Sequence, residues 1–161
     1  MRTAGRGGAA APRREPVAVE EPRPPERRLD GLLALRGHRV TRLEQERLKA
    51  RSHWRTQRAA LRAAIEGWRA ADRRAGTEWE QARQAFFAMS CSSGQFRAAR
   101  AAFERMQREA AILRGGACQA AAACRQAGRA YFGARASYRG AQRQQEKLQA
   151  VRAELLQGGE F

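Results

Sequence analysis

Proline is absent from most of this chain, and its absence constrains the fold. All five prolines lie at or before Pro25, and the rest of the 161-residue sequence contains none. A proline inside a helix costs roughly 3 kcal/mol, because it removes a hydrogen-bond donor and clashes with the preceding turn. The sequence after Pro25 can therefore form long helices without interruption.

Residues that favour β-strands are also scarce. The chain has 4 valines and 2 isoleucines against 35 alanines, and no alternating apolar run stands out. Val, Ile and aromatic side chains stabilise the pleated surface of a sheet, whereas alanine has the highest helix propensity. The composition therefore predicts an all-α protein with too few bulky side chains for a wide globular core.

The side chains that carry most catalysis and metal binding are few and scattered. His38 and His53 are the two histidines, and no cysteine stands near either of them at the spacing of a zinc site. The chain has two aspartates, and no glycine-rich loop leads into a Lys-Ser or Lys-Thr pair. We therefore predict a protein that is not an enzyme and has no catalytic, cofactor-binding or metal-binding residues.

The sequence also lacks a membrane-spanning pattern and a secretory pattern. No window approaches the roughly 18 consecutive apolar residues of a membrane helix, and no apolar core follows the N-terminal arginines as it would in a secretory signal. Three cysteines are an odd count without the spacing of a disulfide framework. The simplest interpretation is a protein of a reducing, cytoplasmic compartment.

Residues 1–27 differ in composition from the rest of the chain. They hold all five prolines, three glycines and six arginines, with almost no bulky apolar side chain. Such a segment cannot bury enough apolar surface to offset the entropy of ordering, so we predict a disordered Pro/Arg-rich tail. The folded part is then expected over residues 28–157, followed by a short C-terminal end at 158–161.

The most regular feature is a heptad pattern in the second half. Alternating steps of three and four residues select 16 apolar residues in 18 positions, broken only by Gln145 and Arg152. A helix with apolar residues every 3.5 positions buries a narrow stripe, here called the seam, against another helix. The selected positions are Phe96, Ala99, Phe103, Met106, Ala110, Leu113, Ala117, Ala120, Cys124, Ala127, Tyr131, Ala134, Tyr138, Ala141, Gln145, Leu148, Arg152 and Leu155.

A second seam lies in the first half of the chain. The same spacing, followed backwards from Met89 to Trp54, is interrupted by only Asp72 and Arg58. We interpret these two residues as polar breaks that set the register of the helices. The apolar members of this seam are Met89, Phe86, Ala82, Trp79, Ala75, Trp68, Ile65, Leu61 and Trp54.

A short segment of small residues separates the two seams. Residues 90–94 read Ser-Cys-Ser-Ser-Gly, which suits a tight turn between helices. The sequence thus predicts a long antiparallel two-helix coiled-coil hairpin, with a helix at 28–89, this turn, and a helix at 95–157. A parallel dimer of extended rods is the alternative. The predicted pairs, in which large residues mostly face small ones, are Phe86 with Ala99, Ala82 with Phe103, Trp68 with Ala117, Ile65 with Ala120 and Trp54 with Tyr131.

The chain is strongly basic, with a formal net charge of +16. Its densest stretch of one sign lies between Glu109 and Glu146, where six arginines occur and no acid. Arginine clusters attract phosphate, so one alternative function is a basic coiled coil that binds nucleic acid, and another is a generic coiled-coil scaffold. Every Trp and Tyr lies on a seam, however, which favours helix packing over base stacking. Nucleic acid is therefore not the expected partner.

The opening of the first predicted helix, residues 28–45, carries a family resemblance. It interleaves apolar residues with arginines, namely Leu29, Leu32, Leu33, Leu35, Val40 and Leu43 with Arg28, Arg36, Arg39 and Arg42. With the small size, the basic Ala/Arg/Gln-rich composition and the central turn, this pattern resembles the central stalk proteins of type III secretion and flagellar export, the YscO/FliJ-like family. The Pro/Arg tail is most similar to the virulence-associated members of plant-pathogen-type systems.

This resemblance implies a function and a set of partners. Members of the family are similar in shape to the γ stalk of rotary ATP synthases. They sit in the pore of a hexameric export ATPase at the cytoplasmic face of the inner membrane, and they contact the export gate protein and secretion chaperones. The end of the hairpin with both termini is the implied insertion end. There we expect Arg36, Arg39, Arg42 and Arg152 to bind partners, and the leucines chiefly to pair the two helices.

Overall fold

The computed structural model describes residues 24–158 as two long helices packed against each other. Helix α1 spans Pro24–Phe87 and helix α2 spans Ser93–Gln157. At 1.5 Å per residue, each helix is roughly 96 Å long. This architecture confirms the predicted all-α antiparallel hairpin. The tail predicted at residues 1–27 lies mostly outside the described residues, as do residues 159–161 of the C-terminal end.

Helix α1 begins four residues before the predicted start at residue 28. Its first residues are Pro24 and Pro25, which the sequence prediction had placed in the tail. Proline is compatible with the first turn of a helix, because the N–H groups there have no intrahelical acceptor and the fixed φ of proline is already helical. The composition of residues 1–27 had concealed this helix start.

The turn between the helices comprises residues 88–92, slightly earlier than the predicted 90–94. Ser92 is the N-cap of α2, since its hydroxyl accepts a hydrogen bond from the Gln95 backbone N–H at 3.2 Å. The Gln95 side chain in turn accepts a bond from the Ser92 backbone N–H at 2.7 Å. This capping box determines where α2 starts, and its Ser-x-x-Gln signature was readable in the sequence.

Met89 departs from its predicted seam position. It lies in the turn with a left-handed φ of 55°, and 92% of it is exposed to solvent. A left-handed residue commonly ends a helix, where glycine is favoured because it has no Cβ to clash. The backbone N–H of Ser90 then reaches the Ala85 carbonyl at 2.9 Å and closes the end of α1. The heptad pattern therefore continued one step beyond the true helix end.

Alanine forms the fully buried core of the hairpin. The buried apolar residues among those described are all predicted seam positions, namely Ala75, Ala110, Ala117, Ala127 and Ala141. The larger seam side chains, such as Trp54 and Trp68, are half-buried. Two helices enclose only the line where they meet, so a large side chain reaches past that line into solvent. Burial in this fold is therefore shallow and continuous.

The aromatic contacts across the seam include one predicted pair and two that the sequence did not indicate. Trp54 stacks on Tyr131 at 5.3 Å, as predicted. Near the turn, Phe86 stacks on Phe96 at 4.4 Å, and Phe103 stacks on Trp79 at 5.1 Å. Each aromatic partner lies three residues, about one helical turn, from the alanine that was predicted to face the same phenylalanine. Large residues thus meet large ones there, where Phe86 is partly exposed and core volume does not limit its partner.

Candidate functional site: the terminal surface

The antiparallel fold brings the start of α1 and the end of α2 to one end of the rod. A salt bridge joins the helices there, with Arg152 Nη2 2.8 Å from Asp30 Oδ1. Both side chains are about half exposed, so solvent screens the pair and its net stabilisation is about 0.2–1 kcal/mol. Arg152 was predicted to bind a partner. In the structure, its Nη2 atom is already engaged by Asp30 within the hairpin.

Arg36 is also engaged inside the hairpin. Its Nη1 donates a hydrogen bond of 2.7 Å to Oε1 of Gln144 on α2. The residue is half-buried, because it lies beside the seam rather than on the outer face of α1. Arg36 and Arg152 therefore hold the two helices together at the terminal end, and their predicted role toward a partner is not evident from their contacts.

Arg39 and Arg42 lie on the outer face of α1 with two exposed leucines. Leu32 is 49% exposed and Leu35 is 67% exposed. Positions 32, 35, 39 and 42 are separated by three, four and three residues, so they share one face of the helix. Arg42 forms an ion pair of 3.2 Å with Glu46 one turn further along, and its side chain remains 77% exposed. These four residues are called the terminal surface below.

The expectation that the leucines of this end chiefly pair the helices is wrong for several of them. Leu32, Leu35 and Leu155 are each about half exposed or more. Val40, Leu43 and Leu148 are half-buried, as expected for residues that pair the helices. Helix α1 opens with more leucines than one seam can bury, so the surplus faces outward. Spacing from the seam residues would have revealed the outward position of Leu32 and Leu35.

The terminal surface combines the chemistry that protein interfaces use most. Exposed leucines bury apolar area on contact, and arginine forms bidentate bonds to carboxylates or bonds to backbone carbonyls. Arg39 and Arg42 follow the leucines along the same helical face, so one partner surface can engage both kinds of side chain. The arrangement fits recognition of a protein surface and contains no nucleophile or general base.

A second charged region, the basic band, was only half recognised from the sequence. It comprises residues 47–65 of α1 and 110–145 of α2, and each stretch holds six lysines or arginines and no acid. Arg47 lies over the Tyr138 ring at 4.8 Å, and Trp54 stacks on Tyr131, so the two stretches lie side by side. The α2 stretch was recognisable as the densest run of one charge, and the acid-free run of α1 is equally visible in the sequence.

Arg58 and Asp72, the predicted polar breaks, are both exposed. The Arg58 guanidinium lies 5.1 Å from the centre of the Trp54 ring. Asp72 lies in a shallow depression that is also lined by Trp68 and Arg114. Because both side chains are exposed, the seam is open to solvent at these two positions. Among the described residues, neither forms a hydrogen bond or ion pair with the other helix, so their predicted role in setting the register has no support from such a contact.

Residues 24–158 contain neither a cluster of metal-binding side chains nor a membrane-spanning helix. Residues 24–158 hold no group of three or more His, Cys, Asp or Glu side chains placed to bind a metal ion. Neither helix contains a stretch long and apolar enough to cross a bilayer. The three cysteines are free thiols. Comparison of the chain with protein-family models, with curated proteins and with solved structures found no match.

Proposed function

We propose that this chain is a non-enzymatic central stalk of a type III protein export apparatus, which links a hexameric export ATPase to the export gate. The observation that carries the proposal is the terminal surface at the end of a rod roughly 96 Å long. A rod of this length can reach between two partners. Its terminal surface can bind one of them while the remainder stays free for the other.

The physical properties of the hairpin suit a stalk. Two helices packed along their whole length resist bending better than one, and the aromatic stacks near the turn and the Asp30–Arg152 salt bridge join them at both ends. The two helices differ in sequence, so the rod presents a different face in each direction. A stiff, asymmetric rod in the pore of a ring can convey nucleotide-driven changes from the ring to a second partner.

The terminal surface is the proposed contact with the ATPase ring. Leu32 and Leu35 would pack on apolar residues of the pore, while Arg39 and Arg42 would bind carboxylates or backbone carbonyls. Arg36 and Arg152 would act indirectly, by holding α1 and α2 together under load. The export gate protein and secretion chaperones are the further partners, and the cytoplasmic face of the inner membrane is the proposed location.

Affinity capture from the native host tests this function. The full-length chain is tagged and captured at moderate salt with nuclease present, and its partners are identified by mass spectrometry. We expect recovery of a hexameric export ATPase and an export gate subunit. The double variant Leu35→Ala with Arg39→Glu should lose the ATPase, because it removes both kinds of contact from the terminal surface.

A matched control is available further along the rod. Ile112 is an exposed aliphatic residue at 74%, and Arg97 is an exposed arginine, both on α2 away from the terminal end. The variant Ile112→Ala with Arg97→Glu should keep the ATPase. The stalk proposal fails if the wild-type chain recovers no ATPase. Its assignment to the terminal surface fails if the two double variants lose the ATPase equally.

A further inference from the structure

An open groove crosses the basic band near the middle of the rod. Its volume is about 540 Å³, and Arg125 and Arg129 stand along its α2 side. The apolar lining consists of Trp54 and Leu61 from α1 and of Ala121, Cys124, Gly128 and Phe132 from α2. Unlike the terminal surface, this groove is formed by both helices.

Small residues on α2 create the groove. Ala121, Cys124 and Gly128 follow one another at steps of three and four, so they line one side of the helix. Gly128 lets the Trp54 ring approach so closely that a Cβ at that position would lie 3.2 Å from the indole Nε1. Phe132 also lines the groove and is 53% exposed. A two-helix rod thus presents an apolar hollow without a third layer to fill it.

Arginines of α1 lie beside the groove, although they are not part of its lining. The Arg58 guanidinium lies over the Trp54 ring at 5.1 Å, so Arg58 is beside the hollow. Arg51, Arg55 and Arg62 share its helical face, since the four residues are spaced by four, three and four. No ion pair among the described residues involves any of these arginines. Elsewhere on the rod, acids are interspersed with the arginines and ion pairs form, as between Arg100 and Glu104 at 3.2 Å.

We propose that this groove receives an acidic amphipathic helix of a partner protein. The apolar face of that helix would pack on Phe132, Leu61 and the edge of Trp54, completing a local three-helix bundle. Its glutamates and aspartates would pair with the arginines on both sides. The complementary charge of the partner follows from the absence of any acid in the basic band. The proposal does not depend on the stalk function, because the groove lies away from the terminal surface.

The lining disfavours other occupants of the groove. A second copy of this chain would bring its own net charge of +16 against the same arginines. For a nucleic acid, stacked bases would need free aromatic faces. Trp54 already stacks on Tyr131 and carries Arg58 over its ring, which leaves Phe132 as the one exposed ring of the groove. Aliphatic residues such as Leu61 have no hydrogen-bond donor or positive charge with which to bind a phosphate.

Three labelled probes test the proposal on the full-length chain by fluorescence anisotropy. The first is a synthetic peptide about three heptads long, with leucines at heptad positions and glutamates and glutamines elsewhere. The second contains the same residues in shuffled order, so that it has equal charge but no apolar face. The third is a double-stranded oligonucleotide of similar length. We expect the amphipathic peptide to bind at least about tenfold more tightly than the shuffled one.

Two variants, each with a matched control, locate the binding. Phe132→Ala should weaken binding of the amphipathic peptide about tenfold or more, whereas Phe87→Ala, which truncates an exposed phenylalanine near the turn, should leave it unchanged. Replacing Arg125 and Arg129 together by glutamine should weaken it more than the same change at Arg97 and Arg105. All six residues are exposed, so the helical content by circular dichroism should stay that of the wild type.

The outcomes separate the possible occupants. Equal affinity for the two peptides would mean that charge alone attracts them, and the apolar groove would then have no role. Tighter binding of the oligonucleotide, steeply weakened by salt and indifferent to Phe132→Ala, would assign the basic band to nucleic acid instead. Binding of the amphipathic peptide that Phe132→Ala leaves unchanged would place the contact elsewhere on the rod. Each of these results overturns the proposal.

Discussion

Gly128→Ala tests the close approach of Trp54 to α2. In most helix interiors this substitution stabilises a protein by roughly 0.5–1 kcal/mol, because alanine loses less conformational entropy than glycine. At Gly128 the new methyl group would lie 3.2 Å from Trp54 Nε1 and 3.7 Å from Cδ1. The first distance is shorter than an ordinary van der Waals contact, so the indole ring must move by a few tenths of an ångström.

Moving the Trp54 ring costs free energy, because two neighbouring side chains hold it in place. It stacks on Tyr131 at 5.3 Å, and the Arg58 guanidinium lies over it at 5.1 Å. Forcing an extra methyl group into a packed site typically costs about 1–3 kcal/mol. We therefore expect Gly128→Ala to lower the free energy of unfolding by up to about 2 kcal/mol, or to leave it unchanged where the two effects cancel.

Gly133 provides the matched control on the same helix. It is exposed, and a Cβ there would meet nothing within 4 Å. Gly133→Ala should therefore show the full gain of roughly 0.5–1 kcal/mol, which corresponds to a rise in Tm of about 2–4 °C. Thermal unfolding followed by circular dichroism measures both variants. An equal rise in Tm for Gly128→Ala and Gly133→Ala would show that the Trp54 ring does not oppose the new methyl group.

A double-mutant cycle isolates the contact itself. Trp54→Phe removes the indole Nε1 that lies nearest the new methyl group, so Gly128→Ala in that background should recover the gain seen at Gly133. The coupling free energy between the two positions should then exceed about 0.5 kcal/mol, as found for residues in direct contact. Additive effects would show that the two side chains do not touch.

Two further predictions concern the turn. Met89→Gly should stabilise the hairpin by about 1 kcal/mol, because Met89 adopts a left-handed φ of 55° that glycine adopts without strain. Little packing is lost, since Met89 is 92% exposed; a lower Tm in thermal unfolding would contradict this prediction. Ser92→Ala should destabilise the hairpin by roughly 0.5–2 kcal/mol, because it removes the N-cap hydrogen bond from the Gln95 backbone N–H. Ser93→Ala keeps the cap and should change the free energy of unfolding less; equal losses in urea titrations would argue against the capping box.

Much of the fold was predictable because its determinants are local. The absence of proline after Pro25 and the heptad spacing specify two long helices, and the seam positions of the five buried alanines follow from that spacing alone. The turn was misplaced by two residues because small residues were weighted above the capping signature at Ser92. The rule that large residues face small ones also missed the stacking of Phe86 on Phe96 near the turn.

The candidate site was predictable in type but not in detail. The sequence indicated arginines at the terminal end as contact residues, yet it did not separate those engaged inside the hairpin from those facing outward. Arg36 bonds to Gln144 and Arg152 pairs with Asp30, and these contacts join residues more than 100 positions apart in the chain. No local pattern encodes such a contact, because it depends on the register of the two helices.

The sequence by itself determined the helical content, the seam and the sign of the charge, because helix propensity, periodicity and composition act over a few residues at a time. The tertiary structure decided which surfaces are open. Arg36 and Arg152 bond across the hairpin. The groove at Trp54 exists because α1 places a large ring opposite the small residues of α2. The two halves of the basic band are far apart in the chain, so only the pairing of the helices joins them into one cationic surface around an apolar hollow.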